Sequence, residues 1–265
     1  MKPVLVDTHA HLNFKDYQDN LDQVIERAKK TGVTKIICVS SNVADSEKAI
    51  ELARKYQGTV FAAVGIHPQQ TDPENTDSLE EQIKKLRRLA QEKEVIAIGE
   101  CGLDYSPAPP GEKDRPKKEQ ARFFGRQLEI ALKLKLPVIV HSRQALHQTI
   151  EILKQHMVPK LEGVIHCYSG GKKGIEQVNE IDFYFGVDGN LTYDQGLQET
   201  FKLIPLEKIL LETDCPYLAP EPFRGQSSEP AHVKIIAEFL AKLKGVQLNE
   251  VAQKTTQNAK KLFKI

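Results

Sequence analysis

Imidazoles and carboxylates recur in this sequence directly after short runs of apolar, β-branched residues. Asp7-Thr8-His9-Ala10-His11 ends the first such run, and Glu100 follows Val95–Gly99. His141 follows Val138–Val140, His166 follows Gly163–Ile165, and Asp214 lies just past Ile209–Leu211. His9 and His11 stand at i and i+2, so on an extended backbone both rings project to the same side and can reach one ion. Taken singly, each residue has a plainer reading. A lone histidine is more often a hydrogen-bonded structural residue, and a carboxylate at a strand end commonly caps the next helix. Chance, however, would scatter such residues over both ends of the runs and over the helices between them. That all six follow runs points to one metal site.

Four histidines and two carboxylates exceed the three protein ligands that a catalytic zinc usually takes. The expectation is therefore two divalent ions per chain, sharing a bridging carboxylate or water. Such pairs suit hydrolytic displacement at phosphorus or at a carbonyl carbon. Mixed imidazole and carboxylate donors suit Zn, Mn, Fe or Co, with Mg and its retained waters also open. His67, in Gly65-Ile66-His67-Pro68, follows the third run and is read as a substrate contact rather than a structural residue. Arg143 and Arg224 are candidate phosphate contacts, since a guanidinium grips phosphate in a bidentate way that lysine does not. Glu212, two residues before Asp214, either supports a ligand or faces the substrate. His147, His156 and His232 fall on helical stretches and read as surface or packing residues. Cys101, Cys167 and Cys215 each directly follow a proposed ligand and read as small buried packing residues.

Positioning these groups requires a scaffold that brings many strand ends to one rim. Eight strand candidates occur: Val4–Asp7, Lys35–Val39, Val60–Gly65, Val95–Gly99, Val138–Val140, Gly163–Ile165, Phe183–Val187 and Ile209–Leu211. Most are nearly all apolar, as parallel strands covered on both faces must be. Amphipathic stretches lie between them. Leu21, Val24, Ile25 and Ala28 form a helical stripe, as do Leu146, Ile150 and Leu153, and Ile235, Ile236, Phe239 and Leu243. Asp77-Ser78-Leu79-Glu80 reads as a capped helix start, and Lys117–Lys135 as a long helix stopped by Pro137. Eight βα units without a Gly/Ser linker predict an α/β fold, a (β/α)8 TIM barrel forming a single domain over residues 1–265. An extra C-terminal helix, from about Asn249 to Phe263, is expected to pack outside. Two loops, Ser106–Pro116 and Ala219–Pro230, should lie on the C-terminal face, where barrel enzymes build their sites.

Bulk properties agree. The 265 residues are close to the roughly 250 of one such barrel. With 37 basic and 36 acidic side chains the net charge is +1, so nucleic acid is expected only as a substrate gripped locally, not held by bulk electrostatics. The four cysteines include no C-x-x-C pair, which argues against a zinc ribbon or a disulfide framework and fits a reducing cytoplasm. No apolar run approaches the ~20 residues of a membrane span. The default expectation is a cytoplasmic monomer without an obligate protein partner or membrane contact.

At the level of motifs, the chain resembles the TatD family of metal-dependent nucleases, a branch of the amidohydrolase-like barrels. The stretches that carry the resemblance are D-T-H-A-H at Asp7–His11, G-I-H-P at Gly65–Pro68 and G-E-C-G-L-D-Y at Gly99–Tyr105. They continue through P-V-I-V-H-S-R at Pro137–Arg143, H-C-Y-S-G at His166–Gly170, L-E-T-D-C-P-Y-L at Leu211–Leu218 and T-T-Q-N-A-K-K-L-F at Thr255–Phe263. Each is weak alone, while the ordered set across the whole chain is specific. The resemblance implies that His9, His11 and Asp214 hold one metal and His141 and His166 the other, with Glu100 bridging. It also implies a divalent-metal-dependent DNase, acting as a 3′–5′ exonuclease on single strands. Three departures stand out. Gln69 occupies a position where the family often has a second histidine, the loop after Asp104-Tyr105 is long and proline-rich, and Ser228 replaces a frequent asparagine.

The leading expectation is phosphodiester hydrolysis of DNA, with Asp214 as ligand and general base and Glu100 as bridging catalytic carboxylate. His67, Arg143 and Arg224 would neutralise charge building on the phosphate. The alternative keeps the same metals but hydrolyses an ester or amide, such as an aminoacyl-tRNA or a small amidohydrolase substrate, because the ligand set alone does not separate the two. A purely binding or scaffold role would not require a complete set of six ligands.

Overall fold

The alternation of apolar runs and amphipathic stretches folds into a ring of parallel strands wrapped by helices. The computed structural model describes residues 3–71, 78–108, 115–157 and 160–265. Its strands are β1 (Leu5–Ala10), β2 (Val33–Val39), β3 (Val60–Val64), β4 (Val95–Asp104), β5 (Val138–Arg143), β6 (Gly163–Ile165), β7 (Tyr184–Val187) and β8 (Ile209–Leu211). They form one sheet in sequence order, and every neighbouring pair is parallel. The ring closes just past β8, where Ala10 bridges Cys215. There the His11 N–H donates to the Cys215 carbonyl, and the Asp214 N–H to the His9 carbonyl, both at 2.9 Å.

The helices are α1 (Leu21–Thr31), α2 (Val43–Lys55), α3 (Leu79–Leu89), α4 (Lys117–Leu134), α5 (Leu146–Gln155), α6 (Gly171–Glu180), α7 (Gln195–Phe201), α8 (Val233–Lys244) and α9 (Leu248–Phe263). The start expected near Ser78 is a capping box, in which the Ser78 hydroxyl accepts from the Glu81 N–H while the Glu81 carboxylate accepts from Ser78 N–H. Asp77, and residues 109–114 of the proline-rich loop, lie outside the described residues. Among the described residues no helix is long and apolar enough to cross a membrane.

Alternate residues of the strands divide between two cores. One set, including Leu5, Ile36, Val64, Val140 and Ile165, packs against the buried stripes of the helices. The other set, with Val6, Ile37, Ala63, Ala97, Ile139, Val164, Tyr184 and Leu210, fills the barrel itself. This second core corrects the expectation for the last helix. Ala259, Leu262 and Phe263 of α9 join the interior cluster rather than packing outside it. Thr256 and Asn258 tie that helix to carbonyls at or just before the starts of β1 and β8, through Val4 on one side and Leu206 and Ile209 on the other. A stripe read from sequence gives a buried face but not its partner, which here is the bottom of the barrel.

The same parity carries the polar rim. His141 lies two residues beyond the interior Ile139, His166 two beyond Val164, and Glu212 and Asp214 two and four beyond Leu210. On β1 and β4 the count is three, from Val6 to His9 and from Ala97 to Glu100. The pairing registers shift between Asp7 and Ala10 and between Ile98 and Cys101, so each strand re-aims its polar side chain inward. The strands also run further than their apolar cores suggest. Those expected to stop at Asp7, Gly99 and Val140 extend to Ala10, Asp104 and Arg143, because polar side chains turned into the barrel mouth leave the backbone ladder intact.

Candidate metal centre

The six predicted side chains converge at the mouth of the barrel. His9 and His11 bring their Nε2 atoms to 3.3 Å from each other, and both face Oδ1 of Asp214, at 3.5 and 3.4 Å. Glu100 lies across from them and turns its two oxygens in different directions. Its Oε2 is 3.5 Å from His9 Nε2 and 3.9 Å from His11 Nε2. Its Oε1 is 2.7 Å from His141 Nδ1 and 3.5 Å from His166 Nε2. Donors held ~2.0–2.1 Å from one tetrahedral cation stand roughly 3.3 Å apart. The spacing of the His9, His11 and Asp214 donor atoms matches that figure, so this donor set fits a cation.

The electrostatics ask for positive charge in the same place. Burial pushes the Glu100 carboxyl up, but the imidazoles of His67, His166 and His9 outweigh it and hold it well below the carboxylate range. Burial likewise opposes charge on Asp214, and the contacts with His11, His166 and His9 reverse the balance downward. The imidazoles respond in turn. Burial works against protonation of His141, yet its contacts with Asp104 and Glu100 raise it to about 9. His166, also buried, is raised to about 10 by Glu212, Glu100 and Asp214. Burial and the neighbouring His166 push His9 down, against the pull of Glu100. Two carboxylates thus stay charged in a pocket of low dielectric, facing bases that must share protons or a cation with them.

Behind the ring nitrogens of His11, His166 and His141 that face the centre lie other polar groups. His11 Nδ1 is 3.1 Å from the Val39 carbonyl. His166 Nδ1 lies 3.0 Å from Oε1 of Glu212, and the same oxygen accepts the Cys167 N–H. His141 Nε2 lies 3.1 Å from Oδ2 of Asp104. A carboxylate or carbonyl on the far nitrogen orients a metal-binding histidine and raises its basicity. Asp7 plays another part. It accepts from the N–H groups of His9 and Thr213 and from the Thr213 hydroxyl, locking β1 to the segment that carries Asp214. Burial pushes its carboxyl up to about 8.

Backbone geometry at the rim is specialised. Asp214 (φ 54°) and Cys167 (φ 46°) occupy the left-handed region, which side-chain-bearing residues usually avoid. Gly102 (φ 145°) brings β4 so close to β5 that a Cβ would fall 2.0 Å from the His141 carbonyl oxygen. Gly186 leaves room for Glu212, whose carboxylate would lie 2.4 Å from any Cβ there.

A cavity of about 600 Å³ opens over the centre, lined among others by His11, Glu100, His141, His166 and Asp214. His67 and Arg143, read from sequence as candidate substrate contacts, line it too. His67 Nδ1 accepts the Gln69 N–H at 3.1 Å, so the ring proton sits on Nε2, which points toward Glu100 at 3.8 Å. Burial pushes this ring down to about 3, so it meets a ligand as a neutral donor. Arg224 lies apart from these, and Glu212 takes one of the two positions open to it. The Arg224 guanidinium lies 4.2 Å over the Tyr193 ring on an exposed loop, away from the cavity lining. Glu212 is fully buried beneath His166, out of reach of substrate, and takes the supporting role.

Three features escaped the sequence. Asp104, four residues past Glu100, joins His141 to Gln69, whose side-chain amide donates to Oδ2 at 3.0 Å. The D-Y pair after the fourth run was the only signal for it. Cys167 is not simply a packing residue, because it lines the cavity and its thiol donates to Asp188 at 2.7 Å. Cys101 and Cys215 are fully buried, as expected. Phe14 and Tyr217 also line the cavity, and nothing in their spacing marked them.

Comparison with known proteins gives the same picture. Residues 6–264 match the family model described as TatD related DNase. The chain is 38% identical to an uncharacterized metal-dependent hydrolase of Bacillus subtilis, over 99% of this chain and all of that one. It is 32% identical to the 3′-5′ ssDNA/RNA exonuclease TatD of Erwinia tasmaniensis, over 98% of this chain and all of that one. Among solved structures, the TatD homologue YjjV of Escherichia coli superposes with a TM-score of 0.90 at 30% identity, covering both chains completely. Sequence order, barrel architecture and site geometry converge on one assignment: this chain belongs to the TatD family.

Proposed function

We infer that this protein hydrolyses phosphodiester bonds of DNA, removing nucleotides from the 3′ end of single strands with the help of two divalent ions. The observation that carries the reading is the division of Glu100, with Oε2 turned to His9 and His11 and Oε1 to His141 and His166. His9, His11 and Asp214 would hold one ion, His141 and His166 the other, and Glu100 would be shared. Divalent ions at such a centre supply Lewis-acid stabilisation of phosphate charge and acidify the attacking water.

The side chains supply the rest. Asp214, partly open to the cavity, takes the proton of the attacking water on its carboxylate. His67 donates from Nε2 to a non-bridging phosphate oxygen, and its neutrality avoids competition with the cations. Arg143 at the cavity edge offers the fixed positive charge that a phosphodiester requires. The polarity on single strands rests on the relative from Erwinia tasmaniensis, whose name carries that activity.

End-labelled single-stranded DNA, supplied with Mg, Mn, Zn or Co after chelator treatment of the protein, tests this reading. Shortening from the 3′ end that is lost in Asp214→Asn is the expected result. No shortening with any metal, in protein that binds about two ions, would reassign the centre to an ester or amide.

A further inference from the structure

Of the few large apolar side chains exposed among the described residues, Tyr217 is the one that lines the catalytic cavity, and it is 54% exposed. It sits three residues past Asp214, in a turn closed by its own N–H donating to the Asp214 carbonyl at 2.9 Å. The turn is clamped from the last loop, where the Ser228 N–H donates to the Pro216 carbonyl. Tyr17 in turn holds Ser228 through its carbonyl at 2.6 Å. The ring is therefore presented on a braced support. Phe14 lies flat on His11, with centroids 4.5 Å apart and planes 12° from parallel. Tyr217 stands nearly perpendicular to it, at 77° and 6.4 Å. The two rings make a near-right-angled corner beside His11, on the His9, His11 and Asp214 side of the centre, and Arg143, two residues past His141, lines the same cavity.

We propose that this corner is a nucleobase subsite, in which a base adjoining the scissile phosphate stacks on Tyr217 with its edge against Phe14. The proposal rests on the nuclease reading above and adds the means by which the site selects its substrate. A sugar or peptide offers no π-face of matching size, whereas every base does, so the subsite is tolerant of sequence. A paired base is already stacked on its neighbours and does not reach the ring. The corner thus favours single-stranded ends and gives a chain of net charge +1 a hold on a polyanion that does not depend on bulk electrostatics.

The test compares a short end-labelled oligothymidylate with the same oligonucleotide carrying abasic residues on both sides of the scissile phosphate. The wild type and the Tyr217→Ala and Tyr217→Phe variants are measured with each. Stacking of one base contributes ~1–3 kcal/mol, so Tyr217→Ala should lower kcat/KM on the natural strand by roughly 5- to 150-fold, chiefly through KM. It should leave the abasic strand unchanged, and Tyr217→Phe should restore the natural rate. An equal loss on both strands, or no loss on either, overturns the subsite while leaving the nuclease reading intact. Failure of the wild type to cut the natural strand overturns the nuclease reading, and the subsite with it.

Discussion

His141 is held between two carboxylates, with Nδ1 2.7 Å from Oε1 of Glu100 and Nε2 3.1 Å from Oδ2 of Asp104. Asp104 therefore decides which nitrogen faces the centre. Its other oxygen is spent on Ser106, accepting from both the backbone N–H and the hydroxyl, so the carboxylate cannot swing away. Loss of such an outer partner typically costs 10–100-fold in metal affinity. Asp104→Ala should weaken one of two bound ions by about that factor and spare the other, which calorimetric titration with Mn or Zn resolves. Equal weakening of both ions, or of neither, would refute the role.

Acidity gives a second handle. His141 and His166 are raised to about 9 and 10, so near neutral pH each binds a proton that a cation must displace. Metal affinity should rise with pH, and binding should release protons, measurable in buffers of different ionisation enthalpy. The sign for stability follows from the same shifts. A histidine whose folded value is raised stabilises fully below its unfolded value of about 6.5, and that contribution is lost as pH climbs through the folded value. Chelated protein should therefore lose stability between about pH 7 and pH 10 in thermal melts, while metal-loaded protein loses less. A flat profile without metal would contradict the assignment.

Glu212 and Gly186 form a packed pair under His166. A methyl group at position 186 would fall 2.4 Å from the Glu212 carboxylate, which also accepts the Cys167 N–H. Gly186→Ala should displace Glu212, lower Tm and weaken metal binding together. Glu212→Gln keeps the shape and removes the charge, so it should weaken metal binding, roughly ten-fold or more, with a smaller change in Tm. Parallel melts and metal titrations of the two variants separate these effects.

The two arginines are predicted to behave differently. Arg143 lines the cavity, whereas Arg224 lies over Tyr193 outside it. A charge-assisted contact is worth ~1.5–3 kcal/mol, so Arg143→Ala should raise KM for single-stranded DNA by roughly ten-fold or more. Arg224→Ala should change it by less than about two-fold at moderate salt, where exposed charges are screened. Equal effects in steady-state assays would return Arg224 to the site.

Particular residues show how far the sequence alone could be read. Each of the eight apolar runs became a strand, because parallel strands buried on both faces leave long β-branched signatures. The six candidate metal ligands were legible for a related reason. A charged or imidazole group at the end of such a run has only the barrel mouth in which to go. Asp104 was not legible, since β4 continues through Gly99 and Gly102, residues whose strand propensity is low and whose role is to let backbones approach. The plugging end of α9 was hidden because amphipathicity does not name a partner. Tyr217 was hidden because only the bracing of its turn, by Tyr17 and Ser228, reveals that the ring stands exposed over the centre.

The proposed bridging role of Glu100 is best tested by electron paramagnetic resonance of the manganese-loaded protein. Two ions sharing one carboxylate lie ~3.5–4 Å apart and couple magnetically. The predicted result is about two manganese ions per chain with an exchange-coupled spectrum, collapsing to uncoupled signal and reduced occupancy in Glu100→Gln. One ion per chain, or two uncoupled ions in the unaltered protein, would contradict a shared carboxylate.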